Sequence, residues 1–296
     1  MKRIKDALRR RWDKYILFPI SRRQFRDLEV LDSEQSIRLL IDSKCSLSRF
    51  GDGEFFVIMG MGNGFQKPDA TLAERLKQVL DSSDAPNHCI AIPLPLKGTS
   101  GLRASSKEFW GYYSLRYGKK LLPLLSTKKT YLDTQLSRFY IAYKDKGHCQ
   151  RQLNLLKQIW DGKDIVIIEG KESRTGIGND LYDNARSIGR ILGPSKNAFS
   201  MYSQMLDAIT KKVSKDKLIL LSYGMTATVL AYDLAKLGYW AIDIGHLDIE
   251  YEWFRLKATG NVVVRGKFTN EAEGGDVVDE CNDTEYLSQI ICDITR

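Results

Sequence analysis

The sequence predicts an α/β fold: Rossmann-like, with a mostly parallel sheet and helices on both faces. Three observations predict it. Residues 164–168 read DIVII, a continuous apolar run of the kind that fills a strand buried on both sides. Two further short apolar runs, 218–221 and 240–244, are linked by a helical pattern over 226–237 that Gly238 stops. Strand, helix and strand joined by short links build a parallel sheet. No repeat, low-complexity stretch or proline-rich linker divides the 296 residues, so a single domain is expected over 33–296, preceded by a basic segment, 1–32.

The other elements follow in order. Residues 33–43 place Ile37, Leu40 and Ile41 on one helical face, and 47–50 reads as a short strand. A helix is expected over 71–80, then a buried strand over 89–92 closed by Pro93 and Pro95. Helices over 105–117 and 149–160 flank a strand near 130–132. After the 164–168 strand comes a polar, glycine-bearing loop, 169–180, and then helices over 181–192 and 198–212. Residues 261–264 read as a strand and 271–275 as a mobile loop.

Composition narrows the classes. At 43% hydrophobic and 28% charged, the chain can bury a sizeable core. No run approaches the roughly 20 apolar residues that cross a bilayer. The basic start lacks a small-residue cleavage site and does not read as a secretory signal. Five scattered cysteines without a Cys-x-x-Cys pair argue against a zinc cluster or disulfide framework and fit a reducing cytosol. Three histidines exclude a His-rich metal site.

The net charge of +8 favours an anionic partner. Much of it lies in residues 1–26, where Ile4, Leu8, Trp12, Tyr15, Ile16 and Phe18 interleave with lysine and arginine. Such a helix either docks on the body or rests on an anionic membrane surface, so the expected location is cytoplasmic, with peripheral contact at the inner face of the membrane. No nucleic-acid motif accompanies the charge.

Ligands of open α/β sheets collect at the carboxyl ends of the strands, which makes the loops after strands the places to look. The first is Ser48-Arg49-Phe50-Gly51-Asp52-Gly53-Glu54. Two carboxylates two residues apart point the same way on an extended backbone. Asp52 and Glu54 would then offer hard oxygen ligands to magnesium or manganese. Gly51 and Gly53 let a bulky ligand approach, and the Arg49 fork suits a phosphate. The plainer alternative is a glycine turn with solvated acids before a helix starting at Asp52.

The second loop is Gly224-Met225-Thr226, where Thr226 is a natural N-cap and the helix start an anion site; capping alone is the alternative. In the third, 169–180, Lys171 and Arg174 are candidate phosphate or sugar contacts, although the spacing matches neither a Walker A loop nor a dinucleotide fingerprint. The fourth, 243–254, offers His246 as an acid–base group, Asp248 and Glu250 as bases, and Tyr251 and Trp253 as stacking surfaces. A lone histidine at a strand end is as commonly structural. Asp133 and Arg138 form another polar cluster, suited to reading an acceptor.

Taken together, SRFGDGE at 48–54, the run at 168–199 and YGMTATVLAYDLAKLGYWAIDIGHLDIEYEW at 223–253 resemble the GT-D-type glycosyltransferase family, in order and over about 33–270. The resemblance implies the Rossmann-like GT-D glycosyltransferase fold, an Asp-x-Glu metal motif and a UDP-hexose donor used to extend bacterial glycans. Position by position, it implies Asp52 and Glu54 as manganese or magnesium ligands and Gly224 to Thr226 as a donor-site loop. The family's turn usually carries proline where this chain has Met225, whereas Gly224 and Thr226 are kept.

The expected function is metal-dependent transfer of a hexose, glucose first, from a UDP-sugar to a bacterial surface glycan or glycoprotein glycan. A nucleotide-sugar hydrolase or phosphotransferase, and a non-catalytic nucleotide-sugar-binding subunit, stand as alternatives. An inverting reaction needs a carboxylate or histidine to take the acceptor proton, and a retaining one does not. Residues 260–275 are expected to form a lid that excludes water.

Overall fold

A computed structural model describes residues 11–83, 85 and 87–295. One sheet organises them. Its strands are β1 (Glu29–Val30), β2 (Ser46–Arg49), β3 (His88–Ile92), β4 (Thr130–Asp133), β5 (Asp164–Gly170), β6 (Ser187–Gly193), β7 (Leu218–Ser222), β8 (Trp240–Asp243) and β9 (Ile290–Asp293). They lie in the order β1-β4-β3-β2-β8-β7-β5-β6-β9, and every pairing is parallel. The chain lays β2, β3 and β4 outward on one side. It later returns through β7 and β8, so that Leu47 of β2 stands opposite Ile242 of β8. Such a reversal of strand order is where open sheets form their ligand crevice.

The helices are α1 (Phe18–Arg23), α2 (Ser33–Ser43), α3 (Asp52–Ile58), α4 (Ala70–Asp81), α5 (Ala104–Leu121), α6 (Cys149–Trp160), α7 (Tyr202–Lys212), α8 (Gly224–Lys236), α9 (Leu247–Arg255) and α10 (Thr284–Ser288). They cover both faces of the sheet, and β5 shows why its apolar run is continuous. Ile165 and Ile167 join a core with Ile37, Leu40, Leu153 and Leu156 of α2 and α6. Val166 and Ile168, pointing the other way, join Met205, Ile209 and Leu230 of α7 and α8. Each such buried side chain contributes about 1.5–3 kcal/mol. Local signals agree with the packing. At the start of α2, Asp32 accepts from Gln35 N at 2.8 Å while Gln35 Oε1 accepts from Asp32 N at 3.0 Å, a reciprocal cap.

Two expected elements are different. The helix expected over 181–192 is absent: turns run to residue 186 and β6 follows. Leu181, Ala185 and Leu192 imitate helical spacing, but strand pairing overrides it. Gly189 admits Ile291 of β9, whose Cδ1 stands 2.5 Å from where a Cβ would sit. Arg190 is buried against Glu169 of β5 at 2.7 Å. The strand expected over 261–264 is irregular chain instead, fixed where Val262 O accepts from Trp253 Nε1 at 2.9 Å.

The amino-terminal segment docks through one face. Phe18, Phe25 and Leu28 are buried. Two glycines of α5 admit the segment: a Cβ on Gly111 would meet Phe18 at 2.2 Å, and one on Gly118 would meet Gln24 at 2.1 Å. Val30 pairs with Tyr131, so this segment also reaches the sheet. Trp12, Tyr15, Ile16 and Ile20 stay exposed, whereas Ile4 and Leu8 lie outside the described residues. No helix among the described residues is long and apolar enough to cross a membrane.

Candidate active site

A cleft of about 660 Å³ opens at the carboxyl ends of the strands, around the meeting of β2 and β8. Arg49, Gly51, Asp52, Glu54, Gly224 and His246 all line it. Lys171, Arg174, Thr226 and Glu250 do not.

The acidic pair reaches the cleft by a different route from the expected extended one. Asp52 and Glu54 occupy the first turn of α3, so the helix starts where the plainer alternative placed it, but the acids are partly buried rather than solvated. Residues two apart on a helix diverge by about 200°. Glu54 is brought back by a cap: its Oε2 accepts from Gly51 N at 2.7 Å. Burial, and behind it the Asp243 carboxylate, pushes Glu54 up to about 7. Burial also raises Asp52, against the pull of Arg138. Their surroundings therefore leave negative charge under-compensated.

Arg49 lies buried beside them, 3.4 Å from Asp243 and donating to Thr134 O at 3.1 Å. Gly245 makes room for it. The residue sits at φ 49, and a Cβ there would come within 2.0 Å of Arg49 Nη1.

Across the cleft, α8 begins at Gly224, not Thr226, with Tyr223 at the cap position and no side-chain cap. Its first-turn N–H groups thus keep their capacity to bind an anion. Thr226 is fully buried inside the first turn, and its hydroxyl has no partner among the described residues. Met225, standing where the resemblance expects proline, is also buried. Its methyl lies 2.7 Å from where a Cβ on Gly53 would be, so it ties the helix start to the acidic turn.

The remaining candidates separate. Lys171 is exposed, 3.8 Å from Glu172, while buried Arg174 donates to Gly266 O at 2.9 Å and to Asp279 O, fastening the tail. Asp248 reaches the cleft but is matched by buried Lys267 at 2.6 Å and by Asn179 at 2.7 Å. Glu250 is fully buried and accepts from the N–H groups of Tyr140 and Ile141 at 3.0 and 2.9 Å. Tyr251 and Trp253 are buried, with the Tyr251 hydroxyl on Asp180, so neither offers a face to a ligand. Asp133 is buried too, accepting from Ser33 Oγ at 2.6 Å.

Arg138 does line the cleft, and its partner is a residue that sequence reasoning gave no chemical part. Glu271, from the stretch read as a loop, holds the guanidinium in a two-pronged pair, with Nη2 to Oε2 at 2.7 Å. Burial opposes the Glu271 charge, yet Arg138 outweighs it and brings the carboxyl down to about 2. The same carboxylate stands 3.6 Å from His246 Nδ1. Burial lowers the His246 ring below its ordinary value, which keeps it neutral at pH 7. Phe65, Phe109 and Phe268 add aromatic lining. Gln135 Oε1, Asn270 Oδ1 and Arg49 Nε, all on lining residues, are buried with no partner among the described residues, and a polar ligand would satisfy them.

The donor chemistry fits a hard divalent ion. Among the described residues no cluster of three or more His, Cys, Asp and Glu is preassembled for one. Magnesium and manganese commonly take one or two carboxylates and complete their shell with water and substrate phosphates. Asp52 and Glu54 match that pattern.

Glu54 also has a measurable cost to folding. Its folded value of about 7 exceeds the ordinary 4.5, so between those values the folded chain holds a proton that the unfolded chain releases. This contribution weakens stability as pH rises through that window, and the full penalty persists above it. Glu54→Gln keeps an oxygen for the Gly51 cap and removes the charge. In chelator, thermal melts should show the variant gaining over wild type at pH 8 and losing that advantage at pH 5. Parallel pH trends for the two proteins would contradict this.

A parallel sheet with this strand order and a cleft at its reversal define an α/β protein with a ligand crevice at its switch point. The family model for the glycosyltransferase GT-D fold matches residues 47–272, and the chain belongs to that family. It is 35% identical over 271 residues to "Probable glycosyl transferase Gly" of Streptococcus gordonii, covering 92% of this chain and 39% of the relative. It is 33% identical to "Glycosyltransferase GlyD" of Streptococcus pneumoniae over 90% of this chain and 33% of that one. The chain thus spans between a third and two fifths of these relatives. Among solved structures, one described as "The highly conserved domain of unknown function 1792 has a distinct glycosyltransferase fold" superposes with a TM-score of 0.87 at 35% identity, covering 93% of this chain and 98% of the other. Another, "A New Glycosyltransferase (DUF1792) from Streptococcus sanguinis", gives 0.84 at 35%, covering 90% and 99%.

Proposed function

We propose that the protein transfers a hexose, glucose first, from a UDP-sugar to a bacterial surface glycan or glycoprotein glycan, with manganese or magnesium at Asp52 and Glu54. One observation carries the reading: two under-compensated carboxylates share a cleft with the uncapped amino terminus of a 13-residue helix. Carboxylates alone would repel a diphosphate. Asp52 and Glu54 would hold a divalent ion that offsets this repulsion, while the α8 N–H groups and Arg49 would take the remaining phosphate charge. The bound ion supplies charge neutralisation at the leaving diphosphate.

His246 is the proposed base in an inverting transfer. Asp248 is already matched by Lys267, and Glu250 is fully buried outside the cleft lining, with Oε2 on two backbone N–H groups and Oε1 3.6 Å from Arg138. The neutral ring accepts the acceptor hydroxyl proton as the bond to the sugar forms, and Glu271 beside Nδ1 stabilises the imidazolium. Lys171 and Arg174 are proposed only to steady the loop and tail around the donor. Incubating labelled UDP-glucose, manganese and a bacterial glycan with the full chain should move label onto the glycan. Label released to water, whether or not glycan is present, would oppose the assignment.

The amino-terminal segment is proposed to touch an anionic membrane surface with the face that docking leaves free. Trp12, Tyr15 and Ile20 are exposed there beside Arg11, Lys14 and Arg23. Deleting 1–26 would strip Phe18 and Phe25 from the core, so point changes give the cleaner test. Combined Trp12→Ser, Tyr15→Ser and Ile20→Ser should weaken sedimentation with phosphatidylserine vesicles and leave UDP binding intact. Undiminished sedimentation would oppose the membrane reading.

A further inference from the structure

Away from the cleft, the sulfur atoms of Cys45 and Cys89 stand 2.7 Å apart. A covalent S–S bond measures about 2.05 Å, so the two need to close by well under an ångström. Backbone geometry puts them there. Lys44 ends α2 in the left-handed region at φ 50, and Cys45 follows it directly into β2. Cys89 lies on the neighbouring strand, opposite Leu47. The Cys45 backbone is held on both sides: its N–H donates to Ser43 Oγ at 3.3 Å and its carbonyl accepts from Trp240 Nε1 at 3.1 Å. Cys45 is buried and Cys89 half-buried, so Cys89 is the more exposed residue of the pair.

We propose that Cys45 and Cys89 form a modification site, a reversible internal disulfide made by exchange with a small-molecule disulfide. Access places the first exchange on Cys89. Its thiolate attacks the reagent, forms a mixed disulfide and expels one small thiolate. Cys45 then attacks the Cys89 sulfur, closing the protein S–S bond and expelling the second. Both protein thiol protons leave, and the two electrons reduce the reagent to two thiols.

The position sets the consequence. The pair sits at the amino-terminal edge of β2 and β3, beside their first register pair, Ser46 with His88. The cleft is at the opposite, carboxyl ends. Closing a link between residues 44 apart restricts the unfolded chain and leaves the cleft in place. The disulfide is therefore a staple that raises thermal stability without altering donor binding.

The test treats the full chain with oxidised glutathione, then counts thiols, weighs the protein and maps its peptides. Free thiols should fall from five to three, the mass should drop by two hydrogen atoms, and one peptide should join Cys45 to Cys89. Reductant should reverse all of this, and the oxidised form should melt higher. Cys281→Ser should link normally, whereas Cys45→Ser should stop at a glutathione adduct on Cys89 or stay unmodified. A wild type that keeps five thiols, stops at the adduct, links other cysteines or melts no higher overturns the proposal.

Discussion

Asp52→Ala is expected to lower sugar transfer on the order of 10²–10³-fold at saturating donor, the size of effect seen when one group that meets transition-state charge is removed. The physical case is that Asp52 stands half-buried at the cleft with its carboxyl raised by burial, a cost that folding alone does not explain. Such groups cluster where a ligand recovers the energy. Glu54 differs, since it also caps α3 through Gly51. Alanine there would mix a lost ligand with a lost cap worth about 0.5–2 kcal/mol, and Glu54→Gln separates the two. Turnover measured beside far-ultraviolet thermal melts should show Asp52→Ala folded and nearly inactive. An active variant would remove the acid pair from the mechanism.

Glu169→Ala is expected to cost about 3–5 kcal/mol of folding stability, because it strands a buried cation. Glu169 and Arg190 are 0% and 2% exposed at their side chains. One carboxylate oxygen meets Arg190 at 2.7 Å and the other accepts from Thr175 N at 2.7 Å. Arg190 also donates to Gln289 at 2.7 Å and lies over the Tyr286 ring. A single pair thus joins β5, β6, the loop that follows β5 and the α10 region. Urea denaturation should show the loss, and replacing Glu169 and Arg190 together with leucine should recover much of it. A loss below about 1 kcal/mol for Glu169→Ala would mean the arginine finds another partner.

Much of the sheet was legible because buried parallel strands advertise themselves. DIVII at β5 and the strand–helix–strand unit from Leu218 to Asp243 needed no long-range knowledge. β6 was not legible, since SIGRILG carries a glycine and an arginine whose reasons lie elsewhere, in Ile291 and Glu169. β1 was missed for lack of length, at two residues, whereas β9 is an edge strand with none of its four residues fully buried.

The site divides the same way. Asp52, Glu54, Arg49 and Gly224 stood out because glycine-bearing loops after strands carry a local signal. Thr226 was misplaced by one turn boundary, since the helix starts on a glycine at positive φ. Glu271 carries no local signal. It becomes a site residue only when the chain after α9 folds back to Arg138, 133 positions away.

The central claim is that Asp52 and Glu54 hold an ion that recruits a nucleoside diphosphate. Isothermal titration of UDP into the full chain, with manganese and then with chelator, tests it most directly. The account predicts saturable binding that needs manganese and is lost when Asp52→Ala is combined with Glu54→Gln. UDP bound equally well by wild type and this double variant, or bound equally with and without manganese, would contradict it.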